Sequence, residues 1–144
     1  MKSTHLKLLF VYWLPVILWA LIIFFLSSRP NLKVATGVYD FLTRKPAHIF
    51  EYLILSVLVF RANIYGISNI KLNLQQKALI SFIITVIYAI SDEIHQSFVP
   101  LREGKLSDLA FDSVGAFLGV FLIWRLFQTQ KRKQEALPKN LPKN

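Results

Sequence analysis

Between Ser91 and Asp108 the chain places Asp92, Glu93, His95, Gln96, Arg102, Glu103, Lys105 and Asp108 between two strongly apolar runs. A histidine beside carboxylates is the material of acid–base chemistry, since a proton carrier and an opposing carboxylate can act on one substrate atom. A second group, His48, Glu51 and Tyr52, is spaced i, i+3 and i+4 and therefore shares one helix face. Asp92, His95 and Gln96 repeat that spacing. Pro46, just ahead of His48, suits a first helical turn. Further on, Asp108, Asp112, Gly115 and Gly119 fall on one helical stripe. Two glycines four apart admit a closely packed neighbour, and the acids continuing the stripe point into the same interface. Arg102 is the natural counter-ion for Asp92, Glu93 and Asp108, because a guanidinium can bind two carboxylate oxygens at once.

The elements that must hold these groups are lipid-grade. Of the 144 residues, 54% are hydrophobic and 17% charged, a composition that excludes an ordinary small soluble domain. Four apolar runs stand out: Leu8 to Leu26, Ala47 to Phe60, Ala78 to Ile90 and Leu109 to Phe127. The first is long enough to cross a hydrocarbon core of about 30 Å, and its bulky Trp13, Trp19 and Ile22 to Leu26 stretch reads as an uncleaved anchor rather than a signal peptide. The middle two are short, so their helices must continue into polar neighbours, and those polar ends must be shielded by the bundle. The expected fold class is all-α, an integral membrane bundle of four transmembrane helices over residues 1–130. Residues 131–144, basic and carrying Leu-Pro-Lys-Asn twice, read as a disordered tail.

Charge orients the bundle. Most of the 17 lysines and arginines fall on the side of the two termini, so both termini are expected in the cytoplasm and the chain is expected as a multi-pass protein of the cell membrane. Most acids, among them Asp40, Glu51, Asp92, Glu93, Asp108 and Asp112, go with the far side. Much of the net charge of +9 lies in the tail after the last run, where anionic lipid is the expected partner and nucleic acid is not. Tyr12, Trp13, Trp19 and Trp124 read as interface or bundle aromatics. With no cysteine there is neither a disulfide nor a thiolate site. No cofactor is expected, because the two histidines and their acids lack a diagnostic metal spacing.

Several blocks together resemble the VanZ-like membrane proteins of bacteria. They are Ser27-Ser28-Arg29-Pro30; Lys45-Pro46-Ala47-His48 with Glu51-Tyr52; Asp92-Glu93-Ile94-His95-Gln96 with Phe98-Val99-Pro100 and Arg102; and Ser107-Asp108 with Asp112 and Gly115-Ala116-Phe117-Leu118-Gly119. The Asp-Glu-x-His-Gln block with its downstream Pro, Arg and Ser-Asp is the specific part. The resemblance spans about residues 8 to 127 and implies a cell-envelope role connected with resistance to glycopeptides of the teicoplanin type. The expected site is a polar pocket on the extracytoplasmic side, built from His48, Glu51, Tyr52, Asp92, Glu93, His95, Gln96, Arg102, Asp108 and Asp112. Its expected ligand is amphiphilic, a lipid headgroup or a lipoglycopeptide, with membrane lipid as the general partner. Two alternatives stay open: an enzyme using the same residues for acid–base or metal-assisted chemistry on an envelope lipid, and a structural partner subunit.

Overall fold

The computed structural model describes residues 2–30, 38–66, 71–100, 102 and 104–136. Four helices account for nearly all of them: α1 (Lys2–Ser27), α2 (Val38–Tyr65), α3 (Leu74–Ser97) and α4 (Leu106–Ala136). All four are long and apolar enough to cross a membrane. The protein is an all-α, multi-pass membrane bundle, and no strand occurs among the described residues.

The two short apolar runs lengthen as the bilayer requires. α2 gains residues at both ends, and α3 extends through Asp92, Glu93, His95 and Gln96 to Ser97. Pro46 is not in a first turn, because α2 already begins at Val38. It sits on an exposed surface more than two turns in, where it removes the donor that the Leu42 carbonyl would otherwise receive. α3 starts on a reciprocal cap: the Asn73 side chain accepts from the Gln76 amide at 2.8 Å, and the Gln76 side chain accepts from the Asn73 amide at 3.0 Å. At the far end, α4 runs through residues 131–136, the start of the segment read as a disordered tail, with Lys131 and Glu135 one turn apart at 3.9 Å. Residues 137–144 lie outside the described residues.

Pairings fix the directions. Lys45 meets Asp108, His48 meets Asp112, Ile49 meets Gly115 and Leu53 meets Gly119, so α2 and α4 run parallel. Tyr52 meets Asp92 while Asn63 meets Ser81, so α3 runs antiparallel to α2. α1 follows α3, with Ala20 beside Tyr88 and Ser27 beside Asp92. The ends of α1 and α3 therefore gather with the starts of α2 and α4, and this one end carries almost all the buried ionisable groups.

Close approach, rather than expulsion of water, holds helices together in lipid. At Gly115 an added Cβ would strike the Ile49 carbonyl oxygen, and at Gly119 it would strike the Leu53 carbonyl oxygen and the Ser56 hydroxyl. α3 does the same with small groups: Ser81, Thr85 and Ala89 are fully buried, and the Asn63 amide donates to Ser81 Oγ at 2.8 Å. α1 is held differently. Its buried stripe is Val16, Ile23 and Ser27, while Phe10, Leu21, Phe24 and Phe25 are exposed, as suits a lipid-facing surface. The Trp19 indole donates to the Glu51 carbonyl at 2.9 Å and the Tyr88 hydroxyl donates to the Ala20 carbonyl at 2.5 Å.

Candidate functional site

Three polar groups stand out among the described residues at the crowded end of the bundle. The first is centred on Asp92, 3% exposed. Its carboxylate accepts from Ser27 Oγ at 2.5 Å, Tyr52 Oη at 3.1 Å and Gln96 Nε2 at 3.0 Å, so three helices meet on one side chain. A buried carboxylate with three donors is well compensated without an ion pair.

The second group pairs charges across α2 and α4. Lys45 Nζ donates to Asp108 Oδ1, and Arg44 lies 3.9 Å from Asp108 Oδ2. The third joins α2, α3 and α4: His48 Nδ1 lies 3.0 Å from Asp112 Oδ1, and Glu93 brings a carboxylate oxygen into the same cluster, all donor atoms being within 4.8 Å of one another. Glu93 is oriented by the Lys105 amide, which donates to Oε2 at 2.8 Å.

Between these groups lies a small polar cavity of about 130 Å³, lined by Ser27, Arg44, His48, Glu51, Asp92 and Arg102 among others. Arg102 reaches it from the segment between α3 and α4. Its guanidinium donates to the Leu26 carbonyl at 3.1 Å, and its buried Nε has no hydrogen-bond partner. Among the described residues its hydrogen bond thus goes to a backbone carbonyl and not to the carboxylates for which the sequence suggested it. Burial holds this guanidinium below its ordinary pKa, the Arg44 charge adding to the effect, yet it remains a cation.

The expected site residues share one end of the bundle but divide within it. His48, Glu51, Asp92 and Arg102 line the cavity. Tyr52 and Gln96 stand behind it as donors to Asp92, while Asp112 and Glu93 form its neighbour cluster. Asp108 is occupied by Lys45. His95 turns away: its Nε2 lies 3.0 Å from Ser28 Oγ, and its ring stacks on Phe24 with centroids 4.4 Å apart. Ser27, Arg44 and Lys45 were not singled out from the sequence as site residues. Serines in the last turn of an apolar run were the available signal for the first.

A family model described as VanZ/LLP1 matches residues 10–128. The chain belongs to the VanZ/LLP1 family. The match takes in all four helices, from the exposed Phe10 of α1 to Gln128 of α4, and hence every polar group of the VanZ/LLP1 site just described. No curated protein and no solved structure matches the chain.

A larger apolar groove of about 370 Å³, lined by Leu79, Phe82, Phe117, Phe121 and Trp124 among others, lies elsewhere on this VanZ/LLP1 bundle. Leu79 precedes Asp92 by 13 residues of continuous helix, a rise of roughly 20 Å. The groove is therefore not an extension of the polar cavity.

Proposed function

We propose that the protein binds the headgroup of an anionic amphiphile of the cell envelope in the cavity between Arg44, Arg102, His48 and Glu51. The observation that carries this reading is Arg102: a half-buried cation whose buried Nε has no partner, lining a cavity that already holds a second arginine. Guanidinium groups of this kind match phosphate and carboxylate geometry. Glu51, on the same wall, suits a hydroxyl or ammonium of the same headgroup. Size narrows the ligand. A volume of about 130 Å³ equals that of roughly four liquid waters, enough for a phosphate or small headgroup. A lipoglycopeptide would place one polar arm here and leave its bulk outside, and a link to teicoplanin-type resistance would act through such an arm.

The test is native mass spectrometry of the protein released from lipid. The wild type is expected to retain an anionic lipid, and Arg102→Gln to lose it at unchanged yield and melting temperature. Equal retention by both, or retention of zwitterionic lipid alone, would remove the arginines from the site.

The orientation that fits this reading puts both termini in the cytoplasm and the cavity on the outer side of the cell membrane, with the tail on anionic lipid. The chain has no cysteine, so single cysteines at Ser3, Ser97 and Asn140 report on it directly. An impermeant thiol reagent on intact cells is expected to label position 97 and neither terminus. The reverse pattern would invert the topology.

A second reading, acid–base or metal-assisted chemistry on the bound headgroup, is favoured by the contact between His48 and Asp112, since His48 also lines the cavity.

A further inference from the structure

The cluster of His48, Glu93 and Asp112 leaves two lone-pair sites unaccounted for. Asp112 is 0% exposed and Glu93 is 8% exposed. Asp112 Oδ2 and Glu93 Oε1 are nevertheless both buried without a hydrogen-bond partner. The nearest donors are engaged elsewhere: the Lys45 ammonium is bonded to Asp108, and the Lys105 backbone amide donates to the other oxygen of Glu93. Asp92, with three donors of its own, needs nothing from this cluster. A buried acceptor without a partner is costly, and two carboxylates converging with unused oxygens are costlier.

We infer that His48, Glu93 and Asp112 form a three-helix site for a first-row divalent cation such as Mn²⁺ or Zn²⁺. One imidazole nitrogen and two carboxylates are a donor set for such ions, and the two carboxylate charges balance the ion in a place where lipid and protein exclude counter-ions. The geometry is close to what is needed. Donors about 2.1 Å from a common ion lie roughly 3 to 3.5 Å apart. Nδ1 of His48 and Oδ1 of Asp112 are already 3.0 Å apart, and all three donors fall within 4.8 Å. Binding is an exchange: the ion takes the Nδ1 lone pair and one oxygen from each carboxylate, the imidazole keeps its proton on Nε2, and any proton held between the groups leaves to water. Access is available from two directions, because His48 borders the polar cavity of about 130 Å³ and Glu93 borders a second cavity of about 270 Å³ beside Lys105 and Leu109. The site stands whether or not that polar cavity holds a lipid.

The test uses full-length protein in detergent, stripped with chelator and then offered Mn²⁺ or Zn²⁺. The wild type is expected to take up about one ion per chain and to melt at a higher temperature with it. Bound Mn²⁺ is expected to show electron-spin-echo modulation from a single imidazole nitrogen. Glu93→Gln and Asp112→Asn should each weaken uptake by about a hundredfold or more, while Glu135→Gln, at the exposed far end of α4, should bind as the wild type does. Should either cluster variant fail to fold, wild-type uptake and the nitrogen modulation decide alone. Uptake below about a tenth of an ion per chain, bound Mn²⁺ without nitrogen modulation, or folded cluster variants binding as tightly as the wild type would each overturn the site.

Discussion

Gly115→Ala is expected to destabilise the bundle by about 2 kcal/mol, even though alanine is the better helix former by about 1 kcal/mol. A single methyl there lands on the Ile49 backbone, which cannot rotate out of the way as a side chain would. Relief requires α4 to move off α2, and that movement carries Asp112 away from His48 and Asp108 away from Lys45. Gly119→Ala meets the Leu53 carbonyl on the same face, with the Ser56 hydroxyl as a second obstacle. One displacement of the helix relieves both clashes, so the double variant should cost less than the sum of the two. Gly115→Val with Gly119→Val should not accumulate as folded protein. Val114→Ala is the control, since Val114 is 48% exposed. Reversible unfolding in mixed micelles measures the series. A wild-type midpoint for Gly115→Ala would mean that the α2–α4 contact is looser than described.

Lys45→Ala carries the second large effect. Asp108 is 2% exposed, and losing the ammonium leaves its carboxylate with the more distant Arg44 and the Ser107 hydroxyl. Stranding one member of a buried pair costs about 3 to 5 kcal/mol. The lower end is expected here, because Arg44 stands near enough to close on Asp108. Replacing both members, Lys45→Met with Asp108→Leu, should recover most of the loss, since an apolar pair in that space needs no charge compensation. The same unfolding measurement checks it. If the double replacement is no more stable than Lys45→Ala, the pair contributes through something other than charge.

The four spans and the extension of α2 and α3 into polar sequence were legible, because apolar run length and bilayer thickness together leave little choice. The start of α3 was also written in the chain, as Asn73 followed three residues later by Gln76, a capping signature. What spacing alone did not resolve was which neighbour each polar group would meet. Asp92, His95 and Gln96 do share a face, but at about 100° per residue His95 lies some 60° to one side of Asp92, with Gln96 about 40° and Glu93 about 100° to the other. His95 consequently meets α1, Gln96 turns back to Asp92, and Glu93 reaches the α4 cluster. The candidate cation site escaped for a related reason: its three donors come from three helices, so no ligand motif exists along the chain. The start of α2 at Val38 was hidden by the conventional meaning of Pro46.

The way α1 is fastened has a consequence for how the sequence can drift. Trp19 and Tyr88 each donate to a main-chain carbonyl, at Glu51 and Ala20 respectively. Every residue type offers that acceptor, so these bonds restrict positions 19 and 88 and leave the identities of 51 and 20 free. The contact of Gly115 on α4 is likewise with main-chain atoms, those of Ile49. Substitutions across these seams have no reciprocal partner to change with, and pairwise covariation among relatives should be weak there despite close packing. It should be concentrated where side chain meets side chain, at Lys45 with Asp108, His48 with Asp112, Tyr52 with Asp92 and Asn63 with Ser81.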